Sequence, residues 1–303
     1  MASLQQQQSV DDYHIWRSDY GQIIHVPYRY SRVWEIEKLW NPEFIHWFFN
    51  KYWSCSIYIA ILYAVIVHAL QRYQQSRKAW VLRHSLCIWN ASLAFFSIVA
   101  TFRFGEEFMY TFLNRPILHS LCYSINPTSP ASFWACAFAL SKIAELGDTF
   151  FVVMRKKPLI FLHWYHHAVV LVYSWNSAVE LTAAGRWFIF MNFFVHSIMY
   201  TYYSFTSYGI RPPRVLSMCI TALQTSQMLI GVAISITVLN LKLNGTLCQQ
   251  SMDNLALCFA IYASFAVLFM RFFYDAYMRP RKAAAAQQAI MTPNKESVNK
   301  KDE

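Results

Sequence analysis

The chain has 303 residues, of which 56% are hydrophobic, 18% aromatic and only 14% charged. This composition excludes a disordered chain and indicates a protein that crosses a membrane several times. The net charge of +10 could suggest nucleic acid, but the basic residues are divided among several loops, so no nucleic-acid partner is expected.

Seven membrane-spanning helices are predicted, since each crossing needs about 20 largely apolar residues. The predicted spans cover 53–71, 84–104, 132–154, 158–176, 186–208, 216–241 and 254–274. The expected organisation is a lumenal or interfacial segment over 1–52, one membrane domain over 53–278 and a disordered cytosolic tail over 279–303. The expected fold class is therefore an all-α polytopic membrane protein.

The loops that follow the first, third, fifth and seventh spans are basic, which predicts that they lie in the cytosol together with the C-terminus. Their basic residues are Arg72, Arg77, Lys78, Arg83, Arg155, Lys156, Lys157, Arg211, Arg214, Arg279, Arg281 and Lys282. The alternate loops and the N-terminus are expected in the lumen. The chain ends in Lys300-Lys301-Asp302-Glu303, which resembles the dilysine tag that returns membrane proteins to the endoplasmic reticulum; a solvated charged terminus is the other interpretation.

Two of the seven cysteines, Cys122 and Cys248, lie in predicted lumenal loops. They are predicted to pair, because the lumen is oxidising and permits a disulfide. On the same side, Asn244 begins the sequon Asn-Gly-Thr, a candidate glycosylation site whose closeness to the membrane leaves its use open.

The fourth predicted span carries three histidines in an otherwise apolar and aromatic stretch, as His163-x-x-His166-His167. At about 100° per residue the three side chains share one face of a helix. A membrane helix carries such a polar face where it meets a cavity or a partner, so this cluster is the best candidate for chemistry.

Three other predicted spans also carry polar residues at helical spacing. Lys142 and Glu145, at i and i+3, can form an ion pair inside the membrane. The three polar faces are Lys142, Glu145, Asp148 and Thr149 on the third span, Asn192, His196, Tyr200 and Tyr203 on the fifth, and Gln224 and Gln227 on the sixth. Each face alone could be interhelical packing, but together they indicate the walls of one site.

Clustered histidines also favour metal binding, so a His-box metal-dependent lipid oxidase or desaturase is an alternative. Such membrane enzymes use several His-rich boxes, whereas this chain has one, and no metal ligand is assigned. A non-enzymatic seven-span receptor or transporter is a further alternative, supported only by the number of spans and the polar interior.

Four motifs, taken together and in order, resemble those of the very-long-chain fatty acid elongase family. They are Lys142-x-x-Glu145-x-x-Asp148-Thr149, His163-Trp164-Tyr165-His166-His167, His196-x-x-Met199-Tyr200-x-Tyr202-Tyr203 and Thr221-x-x-Gln224-x-x-Gln227. The resemblance covers roughly residues 50–280. The presence of Trp164 directly after the first histidine resembles the motif of the subgroup that acts on saturated and monounsaturated acyl-CoAs.

The resemblance implies a 3-ketoacyl-CoA synthase of the endoplasmic reticulum, which condenses an acyl-CoA with malonyl-CoA and releases CO2 and CoA. It implies seven transmembrane helices, the last six forming a barrel around an acyl tunnel, and a lumenal disulfide that fits Cys122 and Cys248. No cofactor is expected beyond these substrates. The reductases and dehydratase of the elongation cycle are the expected protein partners, and assembly into a homo-oligomer is left open.

The same resemblance implies roles for individual residues. His166 is the expected nucleophile, through an acyl-imidazole; His163 and His167 are assigned to orientation, proton transfer or oxyanion stabilisation, and His196 with Asn192 to the malonyl group. The residues assigned to substrate binding are Lys142, Glu145, Asp148, Thr149, Tyr200, Tyr203, Gln224 and Gln227. The candidates for the CoA phosphates are Lys142, Arg155, Lys156, Lys157 and Arg211, although orientation signals explain the loop residues equally well.

Overall fold

The computed structural model of the chain describes residues 13–279. Most of these residues are helical, as the sequence predicts. The predicted cytosolic tail, with its dilysine sequence, lies outside the described residues apart from Arg279.

A β-hairpin opens the described chain and is its departure from the expected all-α fold. Strands β1 (His14–Ser18) and β2 (Gly21–His25) pair antiparallel, with His14 opposite His25. Gly21 follows the two-residue turn with φ at +137°, a conformation that favours glycine.

Two short helices follow the hairpin, α1 (Glu35–Lys38) and α2 (Pro42–Tyr52). Helix α2 begins where Asn41 caps it, accepting a hydrogen bond from the Phe44 N–H, and Pro42 occupies its first turn.

The remaining helices lie close to the predicted spans, except for a six-residue helix in the predicted loop after the second span. They are α3 (Cys55–Gln75), α4 (Arg83–Asn114), α5 (Ile117–Cys122), α6 (Pro130–Glu145), α7 (Gly147–Met154), α8 (Phe161–Glu180), α9 (Gly185–Tyr208), α10 (Arg214–Leu243) and α11 (Met252–Phe273), followed by a π-helical turn (Tyr274–Met278). Among the described residues, four helices are long and apolar enough to cross a membrane, namely α3, α4, α10 and α11 with its π-helical turn. The protein is therefore a multi-pass membrane protein.

Helix α4 continues ten residues beyond 104, the predicted end of its span, so that Glu106 and Glu107 lie in the helix and not in the loop that the predicted span would leave there. Their charges are compensated inside the fold. Glu107 is buried against Arg186 of α9, with an Arg186 Nη2 to Glu107 Oε1 distance of 2.9 Å, and Glu106 pairs with Arg103 at 3.0 Å. A charged residue can remain in a buried helix when a partner of opposite charge meets it.

The long helices pack in a defined set of neighbours. Helix α4 packs along α9, α9 along α10, and α10 along α11. Helix α11 contacts α8, α8 contacts α6, and α6 contacts α4. Helix α3 packs against α7 and α8 from one side. Each of the six helices α4, α6, α8, α9, α10 and α11 therefore contacts two others of the six.

One end of the helices gathers the predicted lumenal loops. A disulfide joins Cys122 to Cys248, the pairing that the sequence predicts. The hairpin is held against the same loops, because the Ile24 N–H donates to Gln249 Oε1 at 3.1 Å and the Val26 N–H donates to the Ser124 carbonyl at 3.0 Å. We call this assembly the hairpin end.

The opposite end gathers the predicted cytosolic loops. Trp80 N–H donates to the Met154 carbonyl at 3.0 Å, and Lys156 Nζ donates to the carbonyls of Gln75 and Arg77. Arg214 likewise donates to the Ala276 carbonyl at 3.0 Å. The basic loops predicted to share one side therefore do meet at one end of the molecule, which we call the basic end.

Candidate active site

The three clustered histidines lie in the first two turns of α8, near the basic end. The ring centroids of His163 and His167 are 4.8 Å apart, and those of His166 and His167 are 5.7 Å apart. The helix begins after Ile160, which has an extended backbone, and the His163 N–H donates to the Ile160 carbonyl at 3.1 Å. The predicted grouping of the three imidazoles on one helix face is therefore present.

His163 is held by a chain of hydroxyl groups from two other helices. Its Nε2 lies 3.1 Å from Thr149 Oγ1 on α7, and that hydroxyl lies 2.6 Å from the Tyr63 hydroxyl on α3. Thr149 is a predicted site residue. Tyr63 was not predicted, because one tyrosine in an apolar span carries no sequence signal of its own.

His167 lies beside Asp148, whose carboxylate is held by two further donors. The distance from His167 Nε2 to Asp148 Oδ2 is 4.0 Å. Trp89 Nε1 donates to Asp148 Oδ1 at 2.6 Å, and the Tyr200 hydroxyl donates to Asp148 Oδ2 at 2.7 Å. Asp148 therefore connects α4, α7, α8 and α9 at one point.

Trp89 reaches Asp148 because the neighbouring residue is Gly147. A Cβ atom placed on Gly147 would lie 2.7 Å from Trp89 Cζ2, closer than side-chain atoms approach. Leu146, the residue before this glycine, separates α6 from α7, so the third predicted span is two helices instead of one. The motif around Asp148 predicted neither the contact with Trp89 nor the role of Gly147.

His196 belongs to a second polar cluster with Lys142, Glu145 and Asn192. Lys142 Nζ donates to Glu145 Oε1 at 2.7 Å and to Asn192 Oδ1 at 2.8 Å. Because the Asn192 oxygen faces the lysine, its Nδ2 faces His196 Nε2, at 3.2 Å, and that nitrogen accepts. The proton of a neutral His196 then lies on Nδ1, which is 3.8 Å from Glu145 Oε1.

This arrangement places Lys142 in the interior, with a side-chain exposure of 3%. Its three ammonium protons face a carboxylate, an amide oxygen and the Phe138 ring, whose centroid is 4.2 Å away. The ion pair with Glu145 expected from the spacing is therefore present. The interior position does not fit the prediction that Lys142 contacts CoA phosphates at the membrane surface.

His166 differs from the other three imidazoles in its surroundings. It lies against two aromatic rings of α11, with centroid distances of 4.7 Å to Phe265 and 5.9 Å to Phe269. Within residues 13–279, neither of its ring nitrogens has a hydrogen-bond partner, and Nδ1 is buried. Of His163, His166, His167 and His196, His166 is the imidazole that lines the internal cavity.

The cavity extends from His166 towards the hairpin end. The empty space next to its lining atoms, part of which is open to solvent, amounts to about 1140 Å³. On α8 the lining residues include His166, Val170, Tyr173 and Ser177, which recur at i, i+4, i+7 and i+11 and so form one helix face. Asn192 of α9 and Gln227 of α10 also line it, while most of the wall is aliphatic or aromatic. Such a cavity suits a long apolar ligand that meets polar groups at one end.

Several predicted site residues lie elsewhere. Tyr203 is 43% exposed, and its ring contacts that of Tyr202 at 5.5 Å. Gln224 lies on α10, where its Nε2 donates to Met199 Sδ at 3.0 Å. Asn244 is exposed at the C-terminal end of α10, on the hairpin end of the molecule.

The residues of 13–279 contain no group of three or more His, Cys, Asp or Glu side chains placed to hold a metal ion. The clustered histidines are instead paired with hydroxyl, amide and carboxylate groups or lie against the cavity.

Comparison with known proteins is consistent with the site. The sequence model of the GNS1/SUR4 (ELO) family matches residues 48–285. Putative fatty acid elongase 4 of Caenorhabditis elegans is 48% identical over 252 residues, which cover 83% of this chain and 87% of that protein. Very long chain fatty acid elongase 6 of Drosophila melanogaster is 43% identical over 265 residues, covering 85% and 83%.

Similarity extends to vertebrate proteins. Very long chain fatty acid elongase 3 of Homo sapiens is 39% identical over 238 residues, which cover 78% of this chain and 88% of that protein. The family match spans the membrane helices and all four polar motifs, and relatives of this identity align over most of both chains. The chain therefore belongs to the GNS1/SUR4 (ELO) family of fatty acid elongases.

Proposed function

We propose that the protein is a very-long-chain 3-oxoacyl-CoA synthase, which condenses a long-chain acyl-CoA with malonyl-CoA in the first step of fatty acid elongation. The observation that carries this proposal is the position of His166, an imidazole without hydrogen-bond partners among the described residues, at one end of a long apolar cavity. Family membership favours this function over a metal-dependent lipid oxidase and over a receptor or transporter.

In the first half-reaction a neutral His166 attacks the thioester carbonyl of the acyl-CoA. The new N–C bond forms as the C–S bond breaks, which leaves an acyl-imidazolium and CoA thiolate; the thiolate then takes the N–H proton of the imidazolium, which gives a neutral acyl-imidazole and free CoA. The apolar wall around His166 protects this reactive intermediate from water.

In the second half-reaction malonyl-CoA loses CO2 and becomes a CoA-thioester enolate. The enolate carbon attacks the acyl carbonyl, a C–C bond forms, and the N–C bond to His166 breaks as the departing nitrogen takes up a proton, so that neutral His166 is regenerated with 3-oxoacyl-CoA as product. The overall reaction consumes one proton, because His166 gives one to CoA in the first half-reaction and takes one up in the second. No cofactor takes part in this proposal.

The cluster around His196 is suited to the malonyl group. The Lys142–Glu145 pair orients Asn192, and Asn192 in turn fixes the His196 ring. Gln227 is buried, lines the cavity, and has no hydrogen-bond partner among residues 13–279, so its amide is available to a substrate carbonyl oxygen. Asp148 orients His167 from the other side.

The neighbour relations of the six helices α4, α6, α8, α9, α10 and α11 support a closed ring around the cavity, with α3 outside it. Together with α3 they would make seven crossings, α6 and α7 forming one of them. Helices α8 and α9 carry the polar site residues, which is a physical reason for their weaker hydropathy.

The basic end is the proposed cytosolic side, where the CoA phosphates would bind. Lys157 and Arg211 are exposed there, whereas Lys156 is already bound to two backbone carbonyls. We place the protein in the endoplasmic reticulum, with the Cys122–Cys248 disulfide in the oxidising lumen. The elongation-cycle reductases and dehydratase are the proposed partners.

The test is an assay of the purified full-length protein in lipid nanodiscs with hexadecanoyl-CoA and malonyl-CoA. Formation of 3-oxo-octadecanoyl-CoA, with release of equal amounts of CO2 and CoA, is the expected result. A His166→Ala variant should form none, while His84→Ala, which changes an exposed histidine, should match the wild type. A folded wild-type protein that forms no 3-oxoacyl-CoA from any acyl-CoA of a length panel would contradict the proposal.

A further inference from the structure

The far end of the cavity is closed by a part of the chain that mostly precedes the region matched by the family. That match begins at residue 48, yet Trp40, Ile45 and His46 line the cavity together with Phe49. All four belong to α2 or to the turn before it. Part of the cavity floor is therefore built from residues that precede the family match.

His46 occupies a fixed position in this floor. Its Nε2 lies 3.0 Å from the Val179 carbonyl, which only accepts, so Nε2 carries the proton. Its Nδ1, 2.8 Å from Ser18 Oγ, is then the acceptor. Ser18 Oγ itself accepts from the Tyr20 N–H at 3.2 Å. Both ring nitrogens are thus occupied by the protein.

The hairpin packs against the His46 ring. The Trp16 and Tyr20 rings lie against His46, with centroid distances of 5.5 and 5.7 Å. The hairpin is in turn fixed to the loops of the disulfide through Gln249 and Ser124. His46 therefore cannot be pushed aside without moving an anchored strand pair.

The depth of the cavity can be measured along α8, from His166 to the point where His46 of α2 contacts this helix. Val179, its hydrogen-bond partner, follows His166 by 13 residues, and at about 1.5 Å per residue this corresponds to about 20 Å. An extended acyl chain advances about 1.25 Å per carbon, from a C–C bond of about 1.5 Å at the tetrahedral angle. The distance from His166 to the floor thus accommodates roughly 16 carbons.

We propose that the segment from the hairpin through α2 is the chain-length stop of this enzyme, with His46 as the residue against which the terminal methyl group rests. The inference rests on the proposed function. Since both His46 nitrogens are bound within the protein, the His46 ring offers carbon edges to the ligand, and a terminal methyl group can rest there without breaking a hydrogen bond.

The first test requires binding and no turnover. Hexadecanoyl-CoA and decanoyl-CoA, each with a photoreactive diazirine beside the terminal methyl, are bound to the full-length protein, irradiated, and mapped by peptide mass spectrometry. The longer probe should label residues 40–49, and the shorter probe should label the middle of the cavity near Tyr173 and Phe138. Unlabelled hexadecanoyl-CoA should compete with both.

The outcomes separate this inference from the proposed function. Competable labelling inside the cavity by both probes, with the longer probe missing residues 40–49, would overturn the chain-length stop and leave the synthase proposal intact. Competable labelling absent from the cavity altogether would contradict acyl binding there, and both proposals would fail.

A variant pair provides the second test. His46→Ala should shift the preferred acyl-CoA by about two carbons towards longer chains, and His46→Trp should shift it towards shorter ones. Phe44→Ala is the matched control, because Phe44 lies on the same helix but is 53% exposed and outside the cavity. The inference would be overturned if both His46 variants kept the chain-length profile of the wild type while the probes still labelled the cavity.

Discussion

Replacing Trp89 by phenylalanine tests whether Asp148 acts through the donors that hold it. The substitution keeps an aromatic ring between α4 and α7 but removes the indole N–H, which donates to Asp148 Oδ1 at 2.6 Å. The Tyr200 hydroxyl remains on the other oxygen. The carboxylate should then lose its fixed orientation towards His167 Nε2, 4.0 Å away.

The size of the effect follows from the kind of bond removed. A hydrogen bond to a charged group contributes about 1.5–3 kcal/mol. A change of about 1.4 kcal/mol in the activation free energy changes the rate tenfold. If the whole contribution of this hydrogen bond is lost in the transition state, kcat falls by roughly 10- to 150-fold. The cavity is untouched, so KM for the acyl-CoA should change little.

The assay is steady-state elongation by the purified variant, with Tyr200→Phe as a second removal of a donor from Asp148. Trp80→Phe serves as the control, because Trp80 is 49% exposed and packs against Phe150 instead of the site. A kcat for Trp89→Phe within twofold of the wild type, in a protein of unchanged thermal stability, would refute the proposed role of this contact.

Three further predictions concern the hairpin end. Arg186→Met should lower the free energy of unfolding by about 3–5 kcal/mol because it leaves Glu107 buried without its partner, and adding Glu107→Gln should restore part of the loss; equal melting temperatures of the single and double variants would contradict this. Burial lowers the pKa of His25 in the folded protein below its ordinary value of 6.5. As the pH drops below about 6.5, His25 is therefore protonated more readily in the unfolded chain than in the folded protein, and the stability should fall. In thermal melts His25→Gln should flatten this pH dependence, and an unchanged slope would exclude His25 as its source. Cys248→Ser should lower the melting temperature, since the disulfide closes a separation of 126 residues, worth up to about 5 kcal/mol in the chain-entropy estimate; a melting temperature equal to that of the wild type would count against it.

The helices could be predicted from the sequence because burial in a bilayer requires long apolar runs. The predicted span 216–241 corresponds to α10 (Arg214–Leu243), for example. The end of α4 could not be placed, since the Arg186–Glu107 pair that stabilises its last turns joins residues 79 positions apart. The hairpin was missed because its strands are short and its anchors, Ser124 and Gln249, are also far away in sequence.

In the candidate site, too, local features could be predicted from the sequence and contacts between distant residues could not. Helical spacing was sufficient to group His163, His166 and His167, and the Lys142–Glu145 pair follows from its spacing of three. Tyr63 and Trp89 could not be found, because aromatic residues in apolar spans usually serve packing and their partners lie on other helices. The floor of the cavity was equally hidden, since His46 meets α8 only through the tertiary fold.

The most direct measurement of the central claim is intact-protein mass spectrometry after addition of hexadecanoyl-CoA without malonyl-CoA. The wild type and the His84→Ala control should each gain the mass of one hexadecanoyl group, and malonyl-CoA should remove it. His166→Ala should gain none. The same adduct on His166→Ala, formed at the wild-type rate and removed by malonyl-CoA, would contradict the assignment of His166 as the acyl acceptor.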